Sequence, residues 1–243
     1  MEAYTDFASV YDELMDNTPY EQWCDNIVKV LGEYGINDGL VLDLGCGTGS
    51  LTQLLAAKGY DMIGVDYSEE MLNIACQKRE KSGYDILYLN QDMREFELYG
   101  TVHAIVSICD SINYLLEDED VVTCFKLVNN YLDPKGIFFF DFNTNYKYET
   151  IIGDRVIAET RDDCSFIWEN FYDPEEMMNE YDLTVFVREN EEKPDTFRRF
   201  QETHFQRGYT LEEMRGFIEE AGLVFLKAYD ADTLEEVTPQ SQR

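Results

Sequence analysis

Residues 41 to 51, VLDLGCGTGSL, place an apolar strand directly before a Gly-x-Gly-x-Gly turn and the start of a helix. Gly45, Gly47 and Gly49 have no Cβ, so the backbone can turn sharply and a ligand can approach it closely. We expect the helix that follows to present unsatisfied backbone N–H groups to that ligand. The segment therefore predicts the first strand, turn and helix of a Rossmann-like sheet with a nucleotide-type ligand at its edge.

Asp43, two residues before the first glycine, restricts the kind of ligand. A glycine-rich turn alone fits NAD or FAD as well, because the dinucleotide fingerprint differs only slightly in spacing. The carboxylate would repel a pyrophosphate on the turn, whereas it would attract a ligand with an ammonium, a sulfonium and no phosphate. The residues therefore favour S-adenosylmethionine over a dinucleotide as the cofactor.

Two further predicted strands end in acidic side chains. Residues 61–66 end in Asp66, where a carboxylate can accept the ribose hydroxyls of a nucleotide. Residues 85–93 end in Asp92 and Met93, which offer a polar acceptor beside a soft apolar surface. This second pair suits an adenine amino group and ring face.

Two nearly continuous apolar runs, residues 102–111 and 136–144, are typical of central parallel strands that are covered on both faces. Helical segments lie between the strands, one from Ser68 to Gly83 and one from Glu117 to Asp133. The pattern predicts an α/β fold with a Rossmann-like, doubly wound, mostly parallel sheet and helices on both faces.

The segments VLDLGCGTGSL, GVDYSEEML and NQDM match the first three cofactor motifs of the class I (Rossmann-like) S-adenosylmethionine-dependent methyltransferases in order and spacing. The chain resembles this family over almost its whole length, and its opening FASVYDELMDNTPYEQW is similar to that of the small bacterial YqeM-like branch. The resemblance implies a methionine end lined by Tyr11, Gly45, Gly47 and Cys109, a ribose held by Asp66, and an adenine held by Tyr67, Asp92 and Met93. It does not identify a methyl acceptor.

Beyond residue 144 the period of the apolar residues changes to two, which predicts a four-stranded antiparallel sheet. The chain therefore divides into an N-terminal helical cap (1–38), a Rossmann-like core (39–144 and 208–243) and an inserted antiparallel lid (145–207). An insertion after the fifth strand lies above the carboxyl ends of the parallel strands. We expect it to form one wall of an acceptor pocket.

Several side chains of this insertion or next to it could contact an acceptor: Trp168, Tyr181, Arg198, Arg199, His204, Arg207 and Tyr209. Aromatic residues also pack well in sheets, and the arginines could pair with surrounding carboxylates, so both explanations stay open. His204 is the candidate catalytic residue, because an imidazole can accept a proton from a hydroxyl or ammonium acceptor. The other histidine, His103, lies at the start of a core strand, where we expect it to pack.

Two segments match the helix-capping box, Thr18 to Glu21 with proline at the first helical position, and Thr210 to Glu213.

Residues 223–229, LVFLKAY, predict a sixth strand. The residues after Tyr229 are polar and do not suit an interior strand. The seventh strand of the family therefore has no counterpart, and we expect the natural polypeptide to continue beyond Arg243.

The chain has 19 basic and 50 acidic residues and a formal net charge of −31, which argues against DNA, RNA and anionic membranes as partners. No apolar run reaches transmembrane length, and the first residues lack the features of a signal peptide. We expect a cytoplasmic protein; the sequence does not determine the oligomeric state, although it favours a monomer. The six cysteines include no Cys-x-x-Cys pair, so we expect neither disulfides nor a metal.

These observations predict in-line methyl transfer from S-adenosylmethionine to a nitrogen, oxygen or sulfur atom of a small molecule. Two alternatives stay open: methylation of a protein or RNA, and a non-catalytic module that only binds the cofactor. Methylation of RNA predicts a basic stripe on the protein surface, which the sequence does not show. A module that only binds the cofactor predicts a pocket with no room for an acceptor beside the methyl group of S-adenosylmethionine.

Overall fold

A parallel sheet of five strands forms the centre of the molecule, as seen in a computed structural model that describes residues 7–189, 195–231 and 233–243. The strands are β1 Gly39–Leu44, β2 Tyr60–Asp66, β3 Ile86–Asn90, β4 Val102–Ser107 and β5 Leu132–Phe140. Their order in space is β3-β2-β1-β4-β5, and all neighbours are parallel. The first six residues of the predicted cap, residues 190–194 of the predicted lid and residue 232 lie outside the described ranges.

Helices cover both faces of this sheet. They are α2 Tyr20–Glu33, α3 Ser50–Ala57, α4 Glu69–Ser82, α5 Asp118–Tyr131 and α6 Leu211–Glu220, while the first helix, α1 Ala8–Leu14, packs elsewhere. Because successive side chains of a strand point to opposite faces, Val41 and Leu42 of β1 belong to different apolar clusters. The Leu42 cluster includes α5 and α6, whereas the Val41 cluster includes α2 and α3. The predicted doubly wound α/β fold is confirmed.

The helix ends follow the sequence pattern except at α2. Ser68 caps α4 by accepting the Met71 N–H at 3.1 Å, and Thr210 and Glu213 form the predicted capping box of α6. The box predicted at Thr18 is wrong, because α2 begins at Tyr20 with Pro19 as its uncapped flanking residue. That start leaves Glu21 at the second helical position instead of the third, from which a capping box reaches back.

The predicted antiparallel sheet is present after β5 and is called the lid sheet below. Its strands are β6 Val156–Thr160, β7 Cys164–Asp173, β8 Met178–Arg188 and β9 Phe197–Arg207, paired in that order. Its inner face packs against α1, where Val10 and Leu14 meet Leu183. At the end of β9 the Asn113 amide donates to the Arg207 carbonyl at 2.7 Å. The lid sheet is therefore tied to the core near the end of β4.

The predicted sixth strand at residues 223–229 is wrong, because these residues form no strand and β5 is the edge of the sheet. Strand formation needs a partner for the backbone groups, and none of the described residues pairs with the outer edge of β5. Phe225 packs on the core, while Val224 and Leu226 are exposed. The expected continuation beyond Arg243 stays a prediction.

Candidate functional site

A cavity of about 450 Å³ lies above the carboxyl ends of β1 and β4, where the strand order reverses. Open α/β sheets bind their ligands at this position. The structure brings all nine predicted cofactor residues to the wall of this one cavity: Tyr11, Asp43, Gly45, Gly47, Asp66, Tyr67, Asp92, Met93 and Cys109. The side chain of His204, the candidate catalytic residue, does not line it.

The glycine turn adopts left-handed backbone angles, with φ of 80° at Gly45 and 53° at Gly47. A Cβ on Gly45 would lie 2.6 Å from the Ser111 hydroxyl, so no larger residue fits there without a shift. The Gly45 and Cys46 N–H groups donate to the Val65 carbonyl at 2.8 and 2.9 Å. These two N–H groups of the turn already have acceptors, which suits a ligand without a phosphate. The unsatisfied N–H groups expected at the start of the following helix stay a prediction.

Asp43 is buried at the end of β1, with 2% of its surface exposed, and it accepts a hydrogen bond from the Thr52 hydroxyl at 2.6 Å. Desolvation raises the pKa of Asp43 to about 7, and the nearby Asp66 carboxylate acts in the same direction. The Thr52 hydrogen bond opposes both effects. A cation bound next to Asp43 would stabilise its ionised form.

Asp66 at the end of β2 holds the turn from the side. Its two oxygens accept the Gly47 N–H at 2.7 Å and the Ser68 N–H at 2.9 Å. Burial raises the pKa of Asp66, and these donors oppose the rise. A carboxylate has about four lone-pair positions, so the two bonds leave capacity for ligand hydroxyls. The next residue, Tyr67, is 62% exposed at the rim of the cavity.

Asp92 forms a forked ion pair with Arg94, with contacts of 2.9 Å from Nε to Oδ1 and 2.5 Å from Nη2 to Oδ2. Arg94 lowers the pKa of Asp92 and keeps the carboxylate ionised. Arg94 also lines the cavity but was not among the predicted site residues. Its position two residues after Asp92 in the sequence could have indicated the pair.

The chain after β4 has an unusual backbone at the cavity, because Cys109 and Asp110 both have left-handed φ angles of 63° and 55°. Such angles are uncommon outside glycine and need support from the surroundings. Asp141 provides that support by accepting the Cys109 N–H at 3.2 Å and the Asp110 N–H at 2.9 Å. Burial raises the pKa of the Cys109 thiol to about 12, so it is neutral near pH 7.

Helix α1 lies against the glycine turn. Asp12 accepts the Thr48 hydroxyl at 2.6 Å and pairs with Lys78 Nζ at 2.6 Å. The neighbouring Tyr11 hydroxyl lies 3.8 Å from Cys109 Sγ. These contacts join α1, the turn and the end of β4 around one end of the cavity.

His204 is buried in the lid sheet, directly behind the cavity wall. Its Nδ1 lies 3.0 Å from the hydroxyl of Tyr114. Unlike His204, the residue Tyr114 lines the cavity. The imidazole stacks on Tyr181 with 4.7 Å between ring centroids, and its Nε2 lies 3.4 Å from Glu202 Oε2. Tyr114 follows β4 in a short 3-10 helix, where no periodic pattern of residues indicates its place.

The other lid candidates lie away from the cavity wall. Trp168 packs on Tyr181 at 4.6 Å, and Arg198 lies over the Phe200 ring. Arg207 pairs with Asp118 at 2.5 Å. Arg199 donates to Gln201 at 3.0 Å, and the Tyr209 hydroxyl donates to the Leu115 carbonyl. Packing and pairing therefore account for these side chains.

A larger cavity of about 760 Å³ lies between β5 and residues 222–229. Its wall is mainly apolar, with Phe138, Phe140 and Phe225, and it contains none of the predicted cofactor residues.

Among the described residues, no cluster of His, Cys, Asp and Glu could hold a metal ion. No described helix is long and apolar enough to cross a membrane.

Comparison with known proteins agrees with this geometry. Residues 41–136 match a family model described as a methyltransferase domain. The chain is 39% identical over 241 residues to YqeM of Bacillus subtilis (strain 168), which bears the name of a methyltransferase, and the match covers 99% of this chain and 94% of that protein.

The fold is similar to the crystal structure of an S-adenosylmethionine-dependent methyltransferase from Clostridium acetobutylicum ATCC 824, with a TM-score of 0.87, 30% identity, and 99% and 96% coverage of the two chains. A ubiquinone biosynthesis O-methyltransferase of Actinobacillus pleuropneumoniae (serotype 7, strain AP76) is 28% identical over 160 residues, which are 59% of this chain and 63% of that protein. The chain is a class I S-adenosylmethionine-dependent methyltransferase of the YqeM family.

Proposed function

We propose that this enzyme methylates a nitrogen, oxygen or sulfur atom of a small molecule. The observation that supports a small acceptor best is the contact between the cavity wall and the lid sheet. Tyr114 lines the cavity, and its hydroxyl lies 2.8 Å from Tyr181 and 3.0 Å from His204 of the lid sheet. A cavity with such a covered wall suits a small acceptor better than a macromolecular segment, which needs an open groove.

The residues around the cavity fit S-adenosylmethionine. The left-handed turn at Gly45 and Gly47 lets a ligand lie against the backbone, and the acidic side chains Asp43 and Asp66 suit a cation without phosphate. We propose that Asp66 holds the ribose hydroxyls, that Tyr67, Asp92 and Met93 hold the adenine, and that Tyr11, Asp43, Gly45, Gly47 and Cys109 surround the methionine end.

When bound, the cofactor supplies a methyl group on a sulfonium, which an acceptor takes by in-line displacement to leave S-adenosylhomocysteine. The protein then has to hold the two partners in line and exclude water. Orientation of this kind accounts for roughly 7–11 kcal/mol of barrier lowering in well-oriented systems. Tyr11 on α1 and the lid sheet are the elements that we expect to exclude water. His204 as a base stays a proposal.

The charge of the chain supports a small, neutral or cationic acceptor. A net charge of −31 repels nucleic acid, although salt limits the range of this field to about 8 Å at physiological ionic strength. The ubiquinone biosynthesis relative acts as an O-methyltransferase by its name. This relative supports a small-molecule acceptor for the present enzyme, but it does not identify that acceptor.

The test is to incubate the enzyme with methyl-labelled S-adenosylmethionine and a bacterial extract, and then to separate the ultrafiltrate from the retained macromolecules. We expect enzyme-dependent label in the ultrafiltrate. Label confined to protein or RNA would support the macromolecular alternative instead. No enzyme-dependent transfer, together with intact cofactor binding, would support a non-catalytic binding module.

A further inference from the structure

Three side chains form a connected line from the cavity wall into the lid sheet. The Tyr114 hydroxyl lies 3.0 Å from His204 Nδ1, and His204 Nε2 lies 3.4 Å from Glu202 Oε2. His204 is 1% exposed and Glu202 is 3% exposed, so both lie deep in the protein. Tyr114 is the member of this line that reaches the cavity.

The order of the partners determines where the imidazole proton lies. The Glu202 carboxylate lies beside His204 Nε2, and its negative charge favours a proton on that nitrogen. In the neutral ring Nδ1 is then an acceptor, and the Tyr114 hydroxyl donates to it. The second carboxylate oxygen of Glu202 accepts the Phe7 N–H at 3.0 Å, which helps to hold the carboxylate in this position.

A buried carboxylate and imidazole are costly to keep away from water. The surrounding side chains fix the imidazole plane, since Tyr181 stacks on it with 5° between the planes and Trp168 packs on Tyr181. The Tyr181 hydroxyl also lies 2.8 Å from that of Tyr114. This packing fixes the ring whose Nδ1 faces the cavity-lining tyrosine.

We infer that Tyr114 is the residue that takes the proton of the acceptor, and that His204 and Glu202 act behind it as positioning residues; this rests on the proposed function. The N–H or O–H proton of the acceptor moves to Tyr114 Oη as the Tyr114 hydroxyl proton moves to His204 Nδ1. The phenol is thereby regenerated, and the imidazolium formed is balanced by Glu202. The electron pair freed on the acceptor forms the bond to the methyl carbon, while the electron pair of the broken bond stays on sulfur.

The arrangement can be tested without knowing the acceptor, because the chain has only two histidines. In a His103→Gln variant, nitrogen NMR of the remaining imidazole reports the tautomer of His204 directly. We expect the proton on Nε2 near pH 7, and we expect Tyr114→Phe to shift the Nδ1 resonance. A proton on Nδ1 would overturn the inference, because Tyr114 could then not donate there. An Nδ1 resonance that does not respond to Tyr114→Phe would overturn it as well.

The catalytic consequence is measured as the initial rate of label transfer to the ultrafiltrate of a bacterial extract, with calorimetric affinity for S-adenosylmethionine as the second readout. General acid–base groups contribute about 10²–10⁴-fold, so we expect Tyr114→Phe to lower the rate by at least about 100-fold. His204→Gln should lower it similarly and Glu202→Gln by about tenfold, each with cofactor affinity within about threefold of the wild type.

Tyr172→Phe is the matched control, because Tyr172 is a buried tyrosine of the same sheet that stacks on Tyr148 away from the cavity wall. We expect it to keep the wild-type rate. A Tyr114→Phe variant as fast as this control would overturn the inference. If the wild type labels no small molecule, the proposed function fails instead, while the NMR result still reports on the tautomer.

Discussion

The Asp66 carboxylate accepts the Gly47 N–H at 2.7 Å, so the end of β2 holds the turn that follows β1. The same carboxylate lines the cavity of about 450 Å³ and also accepts the Ser68 N–H. Asp66 therefore has two roles, one in shaping the turn and one that we propose toward the ribose. Both roles depend on a side chain that ends a neighbouring strand.

We expect Asp66→Ala to weaken S-adenosylmethionine binding by about 1.5–3 kcal/mol, the cost of losing hydrogen bonds to a charged group. Titration calorimetry measures the change. Asp61→Ala is the control, since Asp61 is an exposed residue of the same strand and should bind the cofactor as the wild type does. An unchanged affinity in Asp66→Ala would remove Asp66 from the site.

We expect Asp43 to make cofactor affinity depend on pH. The pKa of Asp43 is about 7, and the cationic cofactor favours the ionised carboxylate, so affinity should rise as the pH increases from about 6 to about 8. Binding near pH 7 should also release protons, which is visible as buffer-dependent enthalpy. Because Asp66 can titrate too, Asp43→Asn is the necessary control and should remove most of the pH dependence. Unaltered pH dependence in that variant would assign the effect to another group.

Strand ends explain why the acidic residues of the cavity wall could be predicted from the sequence. Asp43, Asp66 and Asp92 directly end or follow apolar strands, and parallel strands bring their carboxyl ends to one edge. Strand β8 of the lid sheet could be predicted equally well, because its apolar residues alternate with period two along the strand.

Contacts between distant segments could not be predicted in this way. Tyr114 and His204 are 90 residues apart, and Asp141 supports Cys109 across 32 residues. No local pattern encodes such pairs. The error at residues 223–229 has a related cause, since an apolar segment is compatible with a strand but becomes one only beside a partner strand.

Asp141 supports the left-handed turn at Cys109 and Asp110, and Asp141→Ala should leave two N–H groups without their acceptor. We expect the free energy of unfolding to fall by at least about 1–3 kcal/mol in urea denaturation. Asp141→Asn keeps one acceptor oxygen and should lose less. If Asp141→Ala is as stable as the wild type, other contacts hold the turn.

The ion pair of Lys78 with Asp12 should affect cofactor binding more than stability. Both side chains are partly exposed, with 27% and 39% of their surface accessible, so the pair contributes less than about 1 kcal/mol to folding. Both side chains also contact the Thr48 hydroxyl, so the pair helps to hold α1, which bears Tyr11, against the glycine turn. We expect Lys78→Met to weaken cofactor affinity a few-fold with little change in melting temperature, whereas Lys126→Met, which removes an exposed lysine on α5, should change neither.

Binding of nucleotide ligands to the wild-type protein tests the cavity most directly. The left-handed glycine turn has internal acceptors for its Gly45, Cys46 and Gly47 N–H groups, and it lies beside Asp43 and Asp66. Titration calorimetry should therefore detect S-adenosylmethionine and S-adenosylhomocysteine, each at one site per chain, and no heat from NAD. Binding of NAD at this cavity, or no binding of either S-adenosyl compound, would contradict the account.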